Sequence, residues 1–99
     1  MPVMSLVSAK IAPERREEVT RPYSEMLASG LPAAIRQTFL LVSEDGTMAI
    51  ATVWNSWEDL DAMRTSGEEP FARRVLREAG GEPQPSFFEI AAESRSDSH

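Results

Sequence analysis

The aromatic side chains are the first candidates for chemistry in this sequence of 99 residues. Trp54 ends an apolar run, and Tyr23 directly follows Pro22 within a segment of helical spacing. An indole at a strand end can form the wall of a pocket and stack on a planar ligand, and a tyrosine hydroxyl can orient a phenol or donate a proton. The alternative for both is packing, with Trp54 sealing a sheet against a helix and Tyr23 at the edge of the core.

A second tryptophan, Trp57, lies three positions after Trp54, at the first turn of a following helix. This position favours a surface contact or a dimer contact. The two tryptophans are therefore not one motif.

Arg36, Gln37 and Thr38 are three consecutive polar residues inside an otherwise apolar strand. Neighbouring residues of a strand alternate faces, so Arg36 and Thr38 should share one face and Gln37 the other. At least one of the three must then be buried, where it needs a polar partner, or must line a cavity. Both a hydrogen bond or ion pair at a dimer interface and polar recognition of a ligand fit this pattern. Ser5, Ser8 and Thr52 are weaker examples of the same argument.

Three arginines, Arg73, Arg74 and Arg77, lie in a helical segment that also carries Phe71 and Val75. They favour a solvated helix face that pairs with the acidic surface. If a ligand anion forms, Arg74 or Arg77 could stabilise it. The predicted ligand-binding residues are accordingly Trp54, Tyr23, Arg36, Thr38 and Arg74.

The sequence lacks residues that several kinds of chemistry usually require. Cysteine is absent, and the one histidine, His99, is the last residue of a polar tail. The commonest general base and the commonest metal ligand are therefore missing from the body of the chain, and we expect neither a metal nor a cofactor. The formal net charge of −6 argues against nucleic acid or an anionic membrane as a partner. No apolar run is long enough to span a bilayer, so we expect a cytoplasmic protein.

The first half of the chain predicts a strand followed by a helix. Residues 3–11 are rich in aliphatic side chains that alternate loosely, which indicates a strand. Pro13 suits the first position of a helix. Pro22 should kink or restart that helix, with Thr20 as a second N-cap. Gly30 and the proline that follows it end the element.

A hairpin is the clearest local prediction. Two β-rich runs flank Asp45-Gly46, a dipeptide that favours a tight turn between antiparallel strands. Both runs carry apolar residues on both faces. In the first run, alternation places Ile35, Phe39 and Leu41 on one face.

Two further helices and a strand complete the chain. Ser56 followed by Asp59 is typical of a capped helix start, and this helix should close by Gly67. Pro70 opens another helix with an apolar stripe. Residues 86–92 indicate a last strand.

This order of elements predicts an α+β fold, a ferredoxin-like βαββαβ plait with an antiparallel sheet and its helices on one face. We expect one domain over residues 1–92 and a disordered polar tail over residues 93–99. The second face of the sheet is also apolar, and no helix remains to cover it. The simplest cover is the same face of a second copy, so we expect a homodimer in which two sheets form a dimeric α/β barrel.

The segments DGTMAIATVWNSWEDLDAM (residues 45–63) and PFARRVL (residues 70–76) resemble the second half of the antibiotic biosynthesis monooxygenase (ABM-like) family. In that family a hairpin strand ends in Trp, an acidic helix start follows, and a Phe-bearing helix comes next. The resemblance implies a dimeric α/β barrel with a ligand pocket in each subunit, between the helices and the sheet.

The resemblance can be carried over residue by residue. Trp54 matches the strand-end Trp of members that oxidise aromatic polyketides without a cofactor. The resemblance places Leu41, Ile50 and Leu60 where those members have His, Asn and Tyr, and Arg74 or Arg77 where they have Arg. One residue of that set is thus clearly retained.

Haem-degrading members need an Asn on the first strand, where this chain offers Ser5 and Ser8. They also need a Trp in the second-half helix, where it has Met63, and a His further on, where it has Arg74 or Val75. The resemblance therefore argues against haem degradation by their mechanism.

Two functions are compatible with these features. One is a cofactor-independent monooxygenase that oxidises a small aromatic or quinol substrate with dioxygen. The other is a non-catalytic ligand-binding or stress-related barrel that has lost the catalytic residues. The enzyme hypothesis predicts a closed pocket beside Trp54, with Arg36 or Tyr23 inside it.

Overall fold

The computed structural model describes residues 1–94. His99 and most of the predicted tail lie outside the described residues. Among residues 1–94, none of the helices has the length and apolar character that crossing a bilayer requires.

Four strands, three α-helices and a short 3₁₀ helix make up the fold. In chain order they are β1 (Val3–Lys10), the 3₁₀ helix (Pro13–Arg15), α1 (Glu17–Ser29), β2 (Ile35–Val42), β3 (Thr47–Trp54), α2 (Trp57–Arg64), α3 (Phe71–Glu78) and β4 (Gln84–Glu89). The strands form one antiparallel sheet in the order β2-β3-β1-β4. This is the predicted ferredoxin-like plait, with α2 and α3 together in the place of its second helix.

The start of the first helix differs from the prediction. α1 runs without a break across Pro22, so the predicted second start at Thr20 is wrong. The break comes earlier, between the 3₁₀ helix and the N-cap residue Arg16. Thr20 instead lies within the first helical turns, where its hydroxyl donates to the Arg16 carbonyl. Pro22 costs the helix one backbone hydrogen bond, and burial of Val19 and Tyr23 on the sheet side offsets that loss.

The hairpin between β2 and β3 turns at the predicted dipeptide. Gly46 has a φ of 89°, a conformation that residues with a Cβ rarely adopt. The Asp45 carboxylate accepts hydrogen bonds from the Ser43 hydroxyl and, at 3.0 Å, from the Thr47 backbone N–H. These local bonds hold the turn in the register that pairs Val42 with Met48.

A β-bulge in β2 changes which residues share a face. The register shifts between Ile35, which pairs with Trp54, and Gln37, which pairs with Val53. The extra residue, Arg36, lies in the bulge. Ile35 therefore shares the helix side with Trp54, and the prediction that it shares a face with Phe39 is wrong.

The helix-facing side of the sheet holds the core in two clusters. One cluster joins the Lys10 end of the sheet to α1 and α3 through Val7, Ala9, Ile11, Val19, Met48, Val75, Leu76 and Ala79. The other joins the opposite end to α2 through Val3, Trp54 and Leu60. α1 and α3 therefore cover one end of the sheet, and α2 covers the other.

Three local signals from the sequence are confirmed in the second half. The Ser56 hydroxyl accepts from the Asp59 backbone N–H at 3.2 Å and caps α2. Pro70 directly precedes α3. The last strand, β4, spans Gln84–Glu89 instead of residues 86–92, because it can pair only where β1 is present, from Ser8 back to Val3.

We call the other side of the sheet the open face. The register puts Phe39, Leu41 and Phe88 there, and their side chains are 40%, 46% and 50% exposed. The remaining apolar residues on that face are Met4, Leu6, Ala49, Ala51 and Val53. No helix of the described residues packs on this face, so it is the largely apolar surface that the sequence predicted.

Candidate functional site

Trp54 lies on the helix-facing side at the end of β3. Its indole Nε1–H donates a 2.9 Å hydrogen bond to the hydroxyl of Ser5 on the neighbouring strand β1. Its ring packs with Val3 and Leu60, and Ile35 and Met63 lie against the same cluster. These contacts support the packing interpretation of Trp54, and its one polar group is satisfied by Ser5.

Tyr23 reaches the sheet from α1. Its hydroxyl donates to the Thr38 hydroxyl on β2 at 3.2 Å, although only 6% of Tyr23 is exposed. Thr38 is half-buried and faces the helices because the bulge at Arg36 sets its register. The polar residue that had to find a partner inside the strand is therefore Thr38, and its partner is a tyrosine.

Three hydroxyl side chains lie side by side across the sheet. Thr38 pairs with Thr52 across β2 and β3, and Thr52 pairs with Ser5 across β3 and β1. Paired residues of antiparallel strands have Cβ atoms about 5 Å apart, so these three form a row about 10 Å long. We call Thr38, Thr52 and Ser5 the hydroxyl row. Tyr23 hydrogen-bonds one end of it, and Trp54 the other.

The hydroxyl row is buried but not sealed. Ser5 and Tyr23 are 6% exposed, and Thr52 and Trp54 are 8% exposed. By contrast, Leu60 in the same region is 0% exposed. The small exposed fractions place the row in the buried layer between the helices and the sheet.

The central hydroxyl of the row has no side-chain partner in the part of the chain that the structure describes. Within residues 1–94, Ser5 and Thr38 are bonded to Trp54 and Tyr23, and no side-chain hydrogen bond involves Thr52. Arg16 Nε is the fully enclosed side-chain polar atom that lacks a partner in this part of the chain. Thr52 keeps 8% of its surface exposed, and it lines neither of the two clefts at the Lys10 end of the sheet.

The predicted cationic residues lie away from this row. Arg36 is exposed in the bulge of β2. Arg74 is exposed on α3, with its guanidinium carbon 5.6 Å from the centre of the Phe71 ring. Arg77 is held by Glu69 through two hydrogen bonds of 2.7 and 2.9 Å, which lower the pKa of the Glu69 carboxyl. The structure thus brings together Trp54, Tyr23 and Thr38 of the five predicted residues.

Ser5 and Thr52 lie closer to Trp54 and Tyr23 than their weak sequence signal indicates. Each stands in a strand at a position whose neighbours two residues away, such as Val3 and Trp54, face the core. That spacing could have assigned both hydroxyls to the helix-facing side. It could not show that they lie next to each other, because the pairing of β1 with β3 is a long-range contact.

The positions where the family resemblance expects polar catalytic residues are apolar and scattered. Leu41 lies on the open face, away from the hydroxyl row. Ile50 and Leu60 are buried on the helix-facing side and fill that space with hydrocarbon. Among residues 1–94, no three Asp, Glu or His side chains are grouped so that they could hold a metal ion.

Two open clefts lie at the Lys10 end of the sheet, far from Trp54. The larger, of about 500 Å³, is bounded by Ser8, Thr47, Gly81 and Gln84. The smaller, of about 310 Å³, lies between Arg16 and the hairpin turn. Neither is the closed pocket beside Trp54 that the enzyme hypothesis predicts. Tyr23 bonds Thr38 in the buried layer between α1 and the sheet, whereas Arg36 is exposed.

The fold and the hydroxyl row define a class of protein: an α+β ferredoxin-like domain with a polar strip between its helices and its antiparallel sheet. Neither a protein-family model nor a curated protein sequence matches the chain. Comparison with solved structures is more informative, because a fold persists when sequence similarity has been lost.

Three solved structures illustrate the likeness. SnoaB, a cofactor-independent oxygenase from Streptomyces nogalater, has a TM-score of 0.65 and 10% identity, over 93% of this chain and 95% of its own. The haem-degrading protein Rv3592 from Mycobacterium tuberculosis has a TM-score of 0.67 and 17% identity, over 96% of this chain and 100% of its own. A candidate antibiotic biosynthesis monooxygenase from Deinococcus radiodurans has a TM-score of 0.64 and 13% identity, over 98% and 99% of the two chains.

These matches cover nearly the whole chain. They confirm, at the level of the fold, the resemblance to the antibiotic biosynthesis monooxygenase family that the sequence predicted. Monooxygenases and a haem-degrading protein share this fold, so the fold alone does not select one activity.

Proposed function

We propose that this chain is an ABM-like small-molecule-binding protein whose ligand lies over the hydroxyl row, between the helices and the sheet. The observation that carries the proposal is the Thr52 hydroxyl, which has no side-chain partner among residues 1–94. It lies between two bonded hydroxyls, with Trp54 and Tyr23 at the two ends. Buried hydroxyls are normally paired, so one that has no side-chain partner among residues 1–94 is a position where a ligand atom can bind.

The chemical character of this region favours a small, planar, uncharged ligand. The indole of Trp54 is held in one orientation by Ser5, and it offers a flat apolar surface. The polar groups of the row itself are hydroxyls, and the predicted cations Arg36 and Arg74 are exposed elsewhere. The Arg64 guanidinium lies 4.7 Å from the centre of the Phe87 ring, and Phe87 pairs with Ser5. An aromatic or quinol compound fits both properties.

The finer proposal is a cofactor-independent monooxygenase. The reaction would convert the methylene group of an anthrone into a carbonyl: one oxygen atom of dioxygen enters the product, and the other leaves as water with the two methylene hydrogens. The substrate itself supplies the electrons, so the chain need only bind it, orient it and exclude water. The shared fold with SnoaB, a cofactor-independent oxygenase, supports this assignment.

The alternative is ligand binding without catalysis. Ile50 and Leu60 are buried apolar residues in the region where an acid or base would act, and Leu41 lies on the opposite face of the sheet. A substrate that must lose a proton would then find Tyr23, Thr38 and the other hydroxyls as its only polar neighbours among the residues described above. For substrates whose reacting proton has a high pKa, this observation favours a binding protein over an enzyme.

We propose in addition that the protein is a homodimer joined through the open face. Phe39, Leu41 and Phe88 together expose large apolar side chains on one side of the sheet. A contiguous apolar surface of this kind is typical of an interface, and a two-fold axis lets the same face cover itself.

An oxygen-uptake assay against a panel of anthrones and quinols separates the enzyme from the binding protein. The monooxygenase proposal expects uptake of one dioxygen per substrate, reduced in Trp54→Phe and retained in the control Trp57→Phe, whose side chain is 38% exposed. Binding of the same compounds without uptake would support the non-catalytic alternative. Absence of both binding and uptake would contradict the proposed function itself.

A further inference from the structure

We propose that the smaller cleft at the Lys10 end of the sheet is a second binding site, for a small monocarboxylate, and that Arg16 holds the carboxylate. This cleft has a volume of about 310 Å³ and lies between the start of α1 and the turn of the β2–β3 hairpin. No member of the hydroxyl row lines it, so the inference does not depend on the proposed function.

Arg16 is a half-buried cation without a counter-charge. Among residues 1–94, Arg15 and Arg16 are half-buried and the other arginines are exposed. Arg15 pairs with Glu18 through hydrogen bonds of 2.8 and 3.0 Å. Arg16 takes part in no ion pair of the described residues, and its enclosed Nε has no hydrogen-bond partner there. A cation that is partly removed from water and unpaired costs stability, and a bound anion would offset that cost.

The guanidinium of Arg16 can reach such an anion through its terminal amino groups. Nε is fully enclosed, whereas the two terminal nitrogens keep accessible surface. Because Arg16 lines the cleft, a carboxylate there can contact these two nitrogens. The N–H groups of a guanidinium match the two oxygens of a carboxylate and can bind them side by side. The chemistry of Arg16 therefore favours a carboxylate over a neutral ligand.

The other charges of the cleft favour a ligand with a single negative charge. Lys10 and Asp45 both line the cleft, but the Lys10 ammonium is paired with the Asp45 carboxylate at 3.6 Å. Glu44 lines the cleft as well. Two carboxylates beside one unpaired guanidinium repel a dianion more strongly than a monoanion. The cleft should therefore select monocarboxylates over sulfate and other dianions.

One wall of the cleft is apolar. Ile11, Ala12 and Pro13 form it, and none of their side chains carries a polar group. A short aliphatic chain can lie against this wall while its carboxylate contacts Arg16. Propionate combines these two properties and is the probe of choice.

The test is a titration of the isotope-labelled full chain with propionate at constant ionic strength, followed by nuclear magnetic resonance. Propionate should shift the side-chain Nε–H signal of Arg16 and the backbone amide signals of Ala12 and Gly46. Propionamide has the same size and no charge, and it should bind about tenfold more weakly, as the loss of one charged hydrogen-bonded pair predicts. Sulfate should also bind more weakly than propionate.

Two variants test the role of Arg16. Arg16→Met keeps an unbranched apolar stem and should weaken propionate binding about tenfold. Its free energy of unfolding should not fall, because the guanidinium has no partner to lose among residues 1–94. Arg21→Met is the matched control: Arg21 is exposed on α1, does not line the cleft, and should bind propionate as the wild type does. If Arg16→Met does not fold, the comparison of propionate with propionamide in the wild type decides.

The outcomes that contradict the inference are specific. Propionate that leaves the signals of the cleft unchanged, propionamide that binds equally well, or propionate binding that survives in Arg16→Met would each overturn it. Sulfate that binds as tightly as propionate would overturn the selection of a single charge. None of these results bears on the hydroxyl row, whose ligands are tested with anthrones and quinols.

Discussion

The indole Nε1–H of Trp54 and the hydroxyl of Ser5, 49 positions apart in the sequence, form a buried hydrogen bond of 2.9 Å between β3 and β1. This bond fixes the direction of the indole ring. It also makes Ser5 an acceptor and leaves the serine hydrogen available. Trp54 therefore belongs to the packed core and also bonds a member of the hydroxyl row.

Removing the Ser5 hydroxyl should leave the indole N–H of Trp54 buried without a partner. We expect Ser5→Ala to lower the free energy of unfolding by about 1–3 kcal/mol, measured by urea denaturation at constant chain concentration. Ser8→Ala is the matched control, because Ser8 lies on the same strand and faces the open side. Equal losses in the two variants would contradict a specific role for the Trp54 bond.

The bond between Tyr23 and Thr38 can be tested as a pair. In a double-mutant cycle of Tyr23→Phe and Thr38→Val, we expect a coupling free energy of about 0.5–1.5 kcal/mol, since the two hydroxyls bond each other between α1 and β2. Tyr23→Phe combined with Thr65→Val should be additive, because Thr65 lies at the end of α2. A coupling of zero for the first pair would show that the bond does not form in solution.

The open face predicts the oligomeric state. Light scattering should give about twice the chain mass of 11.0 kDa. Phe39→Glu should convert the dimer to a monomer, because it places a charge in the apolar face. Leu27→Glu is the control: Leu27 is similarly exposed, at 45%, but it lies on α1, outside that face. A wild-type monomer, or a dimer that is broken equally by both variants, would contradict an interface at the open face.

The turn between β2 and β3 predicts a pH dependence. The pKa of Asp45 lies well below its ordinary value of 3.8, chiefly because its carboxylate accepts from Ser43, then because it accepts from the Thr47 backbone, and least because Lys10 is near. A carboxyl whose folded pKa is depressed stabilises the fold fully above its unfolded pKa, and this stabilisation is lost as the pH falls through the folded value. Asp45→Asn should therefore flatten the loss of stability below about pH 4.

The causes of that shift can be ranked by nuclear magnetic resonance titration of the Asp45 carboxyl. Ser43→Ala should raise its pKa more than Lys10→Met does, because the Lys10 ammonium is 3.6 Å away and exposed to solvent. A larger effect of Lys10→Met would show that charge pairing, and not the turn hydrogen bonds, holds the carboxylate ionised.

Much of the fold could be predicted because its signals are local. The turn at Asp45-Gly46, the cap at Ser56 and the helix start at Pro70 each depend on a few neighbouring residues, and each lies where the sequence predicted. The order of elements follows from these turns, caps and helix starts. An apolar second face follows from alternation alone, and the structure leaves that face uncovered.

The candidate site could be predicted less completely from local sequence signals. Alternation applied to residues 35–42 assumes a regular strand, and the bulge at Arg36 breaks it. The bulge turns Thr38 towards the helices and leaves Arg36 in solvent. Counting positions places Arg36 and Thr38 on one face of the strand, whereas in the structure only Thr38 faces the helices.

The sequence by itself determined the kinds of element, their order and the apolar character of both faces of the sheet, because propensity, capping and turn chemistry act within a few residues. Only the tertiary structure decided that Thr38, Thr52 and Ser5 form one row, that Thr52 has no side-chain partner among residues 1–94 and that Trp54 bonds Ser5. The physical reason is register: which residues of three strands stand side by side depends on long-range pairing and on a single bulge, and one added residue moves a side chain from one face of the sheet to the other.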